Sequence, residues 1–261
     1  MILLASLALA ARLPGIAAGD HGSLAWFPDG SAVAASSIDL QSLTEGARVV
    51  DGSVGGFACV IVGKGDLRCE GGVSLGKGPW QAVDVGRDVV CGIDEDEAVA
   101  CSGHLPPAPE GDYVDVGVGN GLACGLRRDG TIVCWGSDVV SGVPEGRFEA
   151  LAVGAAHACA LDREGLVACW GRNLNGQCDA PAGLFVALSA GWANTCALGA
   201  GGALTCWGSD EFDQSSPPAG PWHQMELGAL HGCGVRLDGS TACWGDDRLN
   251  QQALRRLRKS P

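Results

Sequence analysis

Residues 157–171 read HACALDREGLVACWG, and this stretch decides the fold. Two short apolar runs flank an acidic turn that ends in Gly165. Cys159 and Cys169 stand ten residues apart, five on either side of Glu164. In an antiparallel hairpin centred on Glu164 the two cysteines fall opposite each other, where Cα atoms are about 4.5–5.5 Å apart. A disulfide can bridge that gap. A three-residue turn with glycine last fits a type I turn closed by a G1 bulge, whose final residue takes the left-handed angles that glycine adopts without strain.

The unit recurs along the chain. Cysteines with the same spacing are Cys59/Cys69, Cys91/Cys101, Cys124/Cys134, Cys159/Cys169, Cys196/Cys206 and Cys233/Cys243. A seventh copy lacks cysteines, and there Leu24 and Ala34 flank the turn Pro28-Asp29-Gly30. First positions at 24, 59, 91, 124, 159, 196 and 233 give steps of 35, 32, 33, 35, 37 and 37 residues. A near-constant period of this size marks a repeat architecture. Each copy has three segments. The first opens on an aromatic or apolar residue six before a glycine: Trp80…Gly86, Tyr113…Gly119, Phe148…Gly154, Phe185…Gly191, Trp222…Gly228 and Leu13…Gly19. The second and third carry the cysteines, and four copies close on Cys-Trp-Gly with Trp135, Trp170, Trp207 and Trp244. Long polar loops follow, such as residues 172–183 and 209–220.

Ala158, Cys159, Ala160 and Leu161 are consecutive and apolar, a pattern for strands covered on both faces. Small sheets stacked radially are covered on both sides and leave few free edges. The expected fold is therefore all-β, a seven-bladed β-propeller, with a solenoid as the other architecture that repeats allow. The domain reading is a signal-like or N-terminal extension over residues 1–12, one propeller over 13–252 and a basic tail over 253–261. The last copy stops before a further aromatic strand, and the segment 13–19 is expected to supply that strand and close the ring.

The elements HACALDREGLVACWGRNLNGQ (157–177) and GWANTCALGAGGALTCWG (191–208) resemble the regulator of chromosome condensation repeat, whose fold is a seven-bladed propeller. The cysteine-paired version resembles secreted bacterial members of that family. Copy three departs with Glu97 where the turn glycine belongs; copy two departs with Val54 at the strand glycine and Glu70 for the tryptophan. Propellers of this type include a guanine-nucleotide exchange factor for a small GTPase and secreted inhibitors of β-lactamases. Each activity depends on surface residues that find no match here.

Charge and cysteine content narrow the function. A formal net charge of −13 argues against a nucleic-acid partner, which needs clustered Lys and Arg. Thirteen cysteines, twelve of them paired by spacing, point to an oxidising compartment and hence to a secreted or periplasmic protein. Zinc ligands usually stand two to four residues apart, so disulfides are the better reading, with Cys178 left over. The apolar run at residues 1–11 ends near an Ala-Leu-Ala site but lacks a basic start, and it is too short to span a bilayer.

No set of residues converges on catalysis, and no cofactor or metal is expected. His157 and His231 sit two before a repeat cysteine and so recur as a structural position. The acidic run 94–97 lacks the spaced oxygens of a calcium loop. The repeating aromatics are expected in the core. The residue after the strand glycine varies widely, through Asp20, Arg87, Asn120, Ala155, Trp192 and Ala229, so the scaffold does not dictate it. Strand direction puts it at the same end as the long loops. The expected function is a non-enzymatic protein-binding module, a monomer docking an unknown protein through Trp192, Phe212, Arg172 and Asn173. The alternative is a carbohydrate or cell-surface ligand binder, for which only Trp192 and Phe212 stand out as exposed aromatics.

Overall fold

The hairpin at residues 157–171 forms in the anticipated register. A computed structural model describes residues 15–19, 22–26, 32–36, 43, 49–54, 56–136 and 142–246. In it Cys159 pairs with Cys169, His157 with Gly171 and Leu161 with Val167. Gly165 has φ +85°. The Asp162 carboxylate accepts the amides of Glu164 and Leu166 at 3.0 and 2.9 Å, which sets the turn.

Seven such units each add one strand before the hairpin. The sheets, each in chain order, are β1 (Gly15–Ala18), β2 (Gly22–Trp26) and β3 (Ala32–Ser36); β4 (Val49–Val54), β5 (Ala58–Val62) and β6 (Asp66–Cys69); and β7 (Trp80–Val85), β8 (Val90–Asp94) and β9 (Val99–Cys101). Then come β10 (Tyr113–Val118), β11 (Leu122–Arg127) and β12 (Ile132–Gly136); β13 (Phe148–Val153), β14 (His157–Asp162) and β15 (Val167–Gly171); β16 (Phe185–Ala190), β17 (Asn194–Gly199) and β18 (Leu204–Gly208); and β19 (Trp222–Leu227), β20 (His231–Arg236) and β21 (Thr241–Gly245). The first strands of all seven sheets line one central cavity, so the sheets are blades around an axis. The fold is an all-β, seven-bladed propeller.

Middle strands are buried between neighbouring blades, and five consecutive residues of β14 are buried, which explains their unbroken apolar run. Trp80, Tyr113, Phe148, Phe185 and Trp222 are all buried. Of the Cys-Trp-Gly tryptophans, Trp135, Trp170 and Trp244 are buried, while Trp207 is half-buried. All six cysteine pairs are disulfides: Cys59–Cys69, Cys91–Cys101, Cys124–Cys134, Cys159–Cys169, Cys196–Cys206 and Cys233–Cys243. The two ends of a bridge are not equally covered. The first cysteine of each pair, on the middle strand, is fully buried. The second lies on the outer strand, where Cys69, Cys101, Cys134, Cys169 and Cys206 are half-buried and Cys243 is buried. Leu24 takes the cysteine position in the first blade, opposite Ala34, and is fully buried.

Blades are joined at both ends by backbone contacts. At the turn end, the carbonyls of four turn glycines each accept the amide of the next blade's first aromatic. These bonds are Trp80 to Gly65, Phe148 to Gly130, Phe185 to Gly165 and Trp222 to Gly202, at 2.8–2.9 Å. Glu97 fills this role in the third blade. It holds φ +63° without being glycine, accepts the Tyr113 amide at 2.9 Å and pairs with Arg128 of the next blade. At the other end the strand glycines form a belt. A Cβ on Gly86, Gly119, Gly154, Gly191 or Gly228 would come within 2.3–2.6 Å of the carbonyl oxygen of the next glycine in the ring, ending at Gly19. Close backbone approach, not a positive φ, is why these positions are glycine.

Three expectations are corrected. Val54 is not at the strand-glycine position. It pairs with Ala58 as Val85 pairs with Val90, so the loop after β4 is one residue shorter and the glycine is displaced by one. The segment around Gly15–Ala18 does not complete the last blade: it is the first strand of the first sheet. The ring closes by packing, with Ile16 and Ala25 against Cys233, Val235 and Cys243. The third correction concerns the bridged cysteines. Cys134 stands 4.0 Å from Cys124 and Cys206 stands 4.0 Å from Cys196, Cα to Cα, and the other four pairs are 4.0–4.1 Å apart. Opposed strand residues were expected at about 4.5–5.5 Å; these pairs stand closer. Residues 1–12 and the basic tail 253–261 lie outside the described residues.

Candidate functional site: the loop end and the central channel

The middle strands of the blades place no site, because their side chains are consumed by blade packing. The half-buried cysteines are no exception: Cys134 packs on the cluster around Leu122 and Trp170, and Cys206 on the one around Leu198 and Trp222. What the repeat leaves variable is the belt end, where two kinds of loop meet. One is the short connection after each first strand, carrying Arg87, Asn120, Ala155, Trp192 and Ala229. The other is the long inter-blade loop, which starts at the same end: the amides of Arg172, Ser209 and Asp246 bond the carbonyls of Ala156, Ala193 and Leu230 at 2.8–2.9 Å. The long-loop starts and the variable residues thus share one end, as strand direction requires.

The loops 172–184 and 209–221 have a common internal scaffold. The Gln177 side chain accepts the Asn175 amide at 2.9 Å, and that of Gln214 accepts the Phe212 amide at 2.7 Å. Both glutamines are buried. Their backbone carbonyls accept an indole N–H from the following blade, Trp207 to Gln177 at 2.8 Å and Trp244 to Gln214 at 3.0 Å. Asn173 Oδ1 accepts the Cys178 amide at 2.8 Å, and Asp210 Oδ1 accepts the Ser215 amide at 2.7 Å, five residues on in each case. The Asn173 amide also donates to Asp179 at 2.7 Å. Asn173 therefore shapes its loop as Asp210 shapes the other.

Four large side chains stand out on this scaffold. Trp192 is 49% exposed and lies on the rim of the central channel. Phe212 is 39% exposed between Glu211 and Asp213. Arg172 is exposed at the start of its loop. Leu174 is 82% exposed, and the reading of the sequence passed over it. Its signal was available: an aliphatic residue in the otherwise polar RNLNGQ, at the offset where the other loop has Glu211. Trp192, Leu174 and Phe212 sit on the three loops that surround the end of the sixth blade. The turn end carries its own exposed residues, Leu166, Leu184 and Val186.

The channel has a volume of about 570 Å³. Asp84, Asp115 and Glu226 line it together with Ser189 and Gln224. The Asp84 carboxylate accepts the Val118 amide at 2.7 Å, and Glu226 accepts the Ser189 hydroxyl at 3.0 Å. These bonds hold the Asp84 and Glu226 carboxylates in place.

The histidines that recur in the sequence lie in seams between blades. His157 Nε2 is 2.9 Å from Thr195 Oγ1, whose hydroxyl donates to the Gln177 carbonyl at 3.0 Å. With its proton so committed, the threonine accepts, so His157 is the neutral Nε2–H tautomer. Burial lowers its pKa to about 4. Cys178 is half-buried in the loop, its thiol near the carbonyls of Trp170 and Arg172, and burial with the Asp179 charge pushes its pKa up to about 11. The Asp94 carboxylate is occupied by the amides of Asp96 and Ala98, so the acidic run is a turn held by its first residue.

Comparison with known proteins agrees with this geometry. Residues 148–177 and 185–214 match the regulator of chromosome condensation (RCC1) repeat. Those two segments are the fifth and sixth blades, each with the first part of the loop that follows it. Among solved structures it is similar to the ectodomain of the Physcomitrella patens receptor kinase CR4. That match has TM-score 0.75 and 25% identity, over 88% of this chain and 72% of that one. The CRINKLY WD40 ectodomain of the Arabidopsis thaliana receptor kinase ACR4 matches with TM-score 0.71 and 23% identity, over 90% and 95%. Prp20p from Saccharomyces cerevisiae shares the fold at TM-score 0.54 and 14% identity, over 90% and 72%. No curated protein sequence matches the chain.

Proposed function

We infer that this propeller is an extracellular, non-enzymatic protein-binding module that docks its partner on the loop end. The observation that carries this reading is the group Trp192, Leu174 and Phe212, large and exposed where the repeat supplies no reason for them. Interface energy concentrates in a few aromatic and arginine anchors, and Arg172 lies beside Asn173 at the start of the Leu174 loop. Asn173 contributes by holding that loop's shape. Six disulfides favour an oxidising compartment. The likeness to a receptor ectodomain supports the same location.

The test is capture of proteins from an extracellular fraction on the immobilised chain, repeated with Trp192→Ala. A partner whose affinity falls by about thirtyfold, the loss of one anchor of about 2 kcal/mol, is expected, with an unchanged melting temperature. Binding that survives Trp192→Ala but is abolished by Arg163→Ala would place the interface at the turn end instead.

A further inference from the structure

We propose that the partner is a basic protein and that it seats a lysine or arginine side chain in the mouth of the central channel, beside Trp192. This rests on the loop end being the docking surface and adds the chemistry of what docks there.

The channel opens at the glycine belt, and its rim is asymmetric. Trp192 of the sixth blade and Arg87 of the third occupy the same offset after their belt glycines, three blades apart in a ring of seven. Inward from the rim every charged residue among the described lining is acidic: Asp84 and Glu226 two positions before their belt glycines, and Asp115 four before its own. At about 3.4 Å per strand residue, the first pair lies roughly 7 Å below the belt. Arg87 is the sole Lys or Arg among the described lining residues, and it sits at the rim.

A cleft lined by one sign of charge with low-dielectric walls concentrates the potential and selects the opposite sign. The half-exposed indole adds a face for a cation. A lysine or arginine suits the geometry because its aliphatic stem can pass the apolar rim while its charged head goes deeper. The surrounding surface has the same sign. The loops bearing Leu174 and Phe212 carry Asp179, Asp210, Glu211 and Asp213 against Arg172 alone. Apolar anchors set in an acidic surface complement a basic partner, and charge complementarity of this kind acts mainly on association rate and specificity.

The probe is a tetralysine peptide, titrated calorimetrically into the full chain at low ionic strength, with its ε-acetylated form and free spermine in parallel. Tetralysine should bind and the acetylated peptide should not. Glu226→Gln, which keeps an acceptor for Ser189 and removes the charge, should weaken binding at least threefold. Glu226→Gln combined with Asp84→Asn, at an unchanged melting temperature, should weaken it at least tenfold. Equal binding of the acetylated peptide, or affinity unmoved by Glu226→Gln, overturns the proposal. Spermine binding more tightly than tetralysine overturns the protein source in favour of a small amine. A captured protein that depends on Trp192 but ignores both channel variants and added salt would sink this proposal and leave the docking surface standing.

Discussion

His231 Nε2 lies 2.8 Å from Ser23 Oγ, across 208 residues of chain and across the seam between the last and first blades. Two blades earlier in the ring, His157 and Thr195 make the same contact between the fifth and sixth blades. The propeller thus closes by repeating a seam it already uses, without a strand borrowed from the other terminus. Removing one partner of a buried hydrogen bond costs about 1–3 kcal/mol. Ser23→Ala and His231→Ala should each destabilise by that order in denaturant unfolding, and the double substitution by less than their sum. Full additivity would mean that the two side chains do not cooperate at the seam.

Acid should weaken the fifth-to-sixth seam in a defined window. His157 has a pKa near 4 when folded, against an ordinary 6.5. Between those values the unfolded chain takes up a proton that the folded chain does not, so this contribution is complete above pH 6.5 and is lost as the pH falls to about 4. The loss amounts to roughly 3 kcal/mol. His157→Asn introduces the residue that the sixth blade uses at this position, Asn194. Its unfolding free energy should depend less steeply on pH between 7 and 4.5 than that of the parent. Identical slopes would remove His157 as the source.

The glycine belt makes a prediction that helix and strand propensities do not. Gly191→Ala would bring a Cβ to 2.4 Å from Asn194 Oδ1 and 2.6 Å from the Gly228 carbonyl oxygen. Overpacking of this kind costs about 1–3 kcal/mol. Gly201→Ala, where a Cβ would meet nothing within 4 Å, should be close to neutral. Thermal melts of the two variants decide the point, and equal midpoints would show that the blades separate easily at the belt.

Redox state gives a simple count. Alkylation of the unreduced, denatured chain should label Cys178 and no other cysteine. Each disulfide closes a loop of about ten residues and should contribute about 2–3 kcal/mol. Labelling of several thiols in protein recovered from its natural compartment would contradict both the pairing and the extracellular location.

Trp170 and Trp192 separate scaffold from surface. Trp170 is 5% exposed within the core cluster around Phe148, and Trp170→Ala should cost about 3–5 kcal/mol. Trp192→Ala should leave the melting temperature unchanged within a degree or two. A large loss from Trp192→Ala would make it a core residue and disqualify the loop end.

Local geometry was legible where one residue type had one physical reason. The ten-residue cysteine spacing implied the hairpin register, and the turn glycines implied left-handed backbone. The belt glycines were visible as a pattern, but their reason was not, because the carbonyls that exclude a Cβ belong to the neighbouring blade. The shortened loop after β4 was misread for a similar reason: counting from Cys59 assumes a fixed loop length, and only the Val54–Ala58 pairing reveals the missing residue. Gln177 and Gln214 resembled ordinary polar loop residues, since what they accept comes from tryptophans thirty residues away. Trp192 could be singled out because it breaks the internal pattern. Asn173 could not be told from a surface contact until its bonds within the loop were seen.

Every disulfide joins the second and third strands of one blade, and none crosses a seam. Under tension applied along the chain, the blades would therefore part from one another before any bridged hairpin lengthened beyond its disulfide. The extension would come from first strands, inter-blade loops and the unbridged hairpin of the first blade. Six short segments would stay folded back on themselves, each sheltering roughly ten residues from the pull, so a stretched molecule would be measurably shorter than its residue count implies. Adding a reductant would release that hidden length in six equal steps.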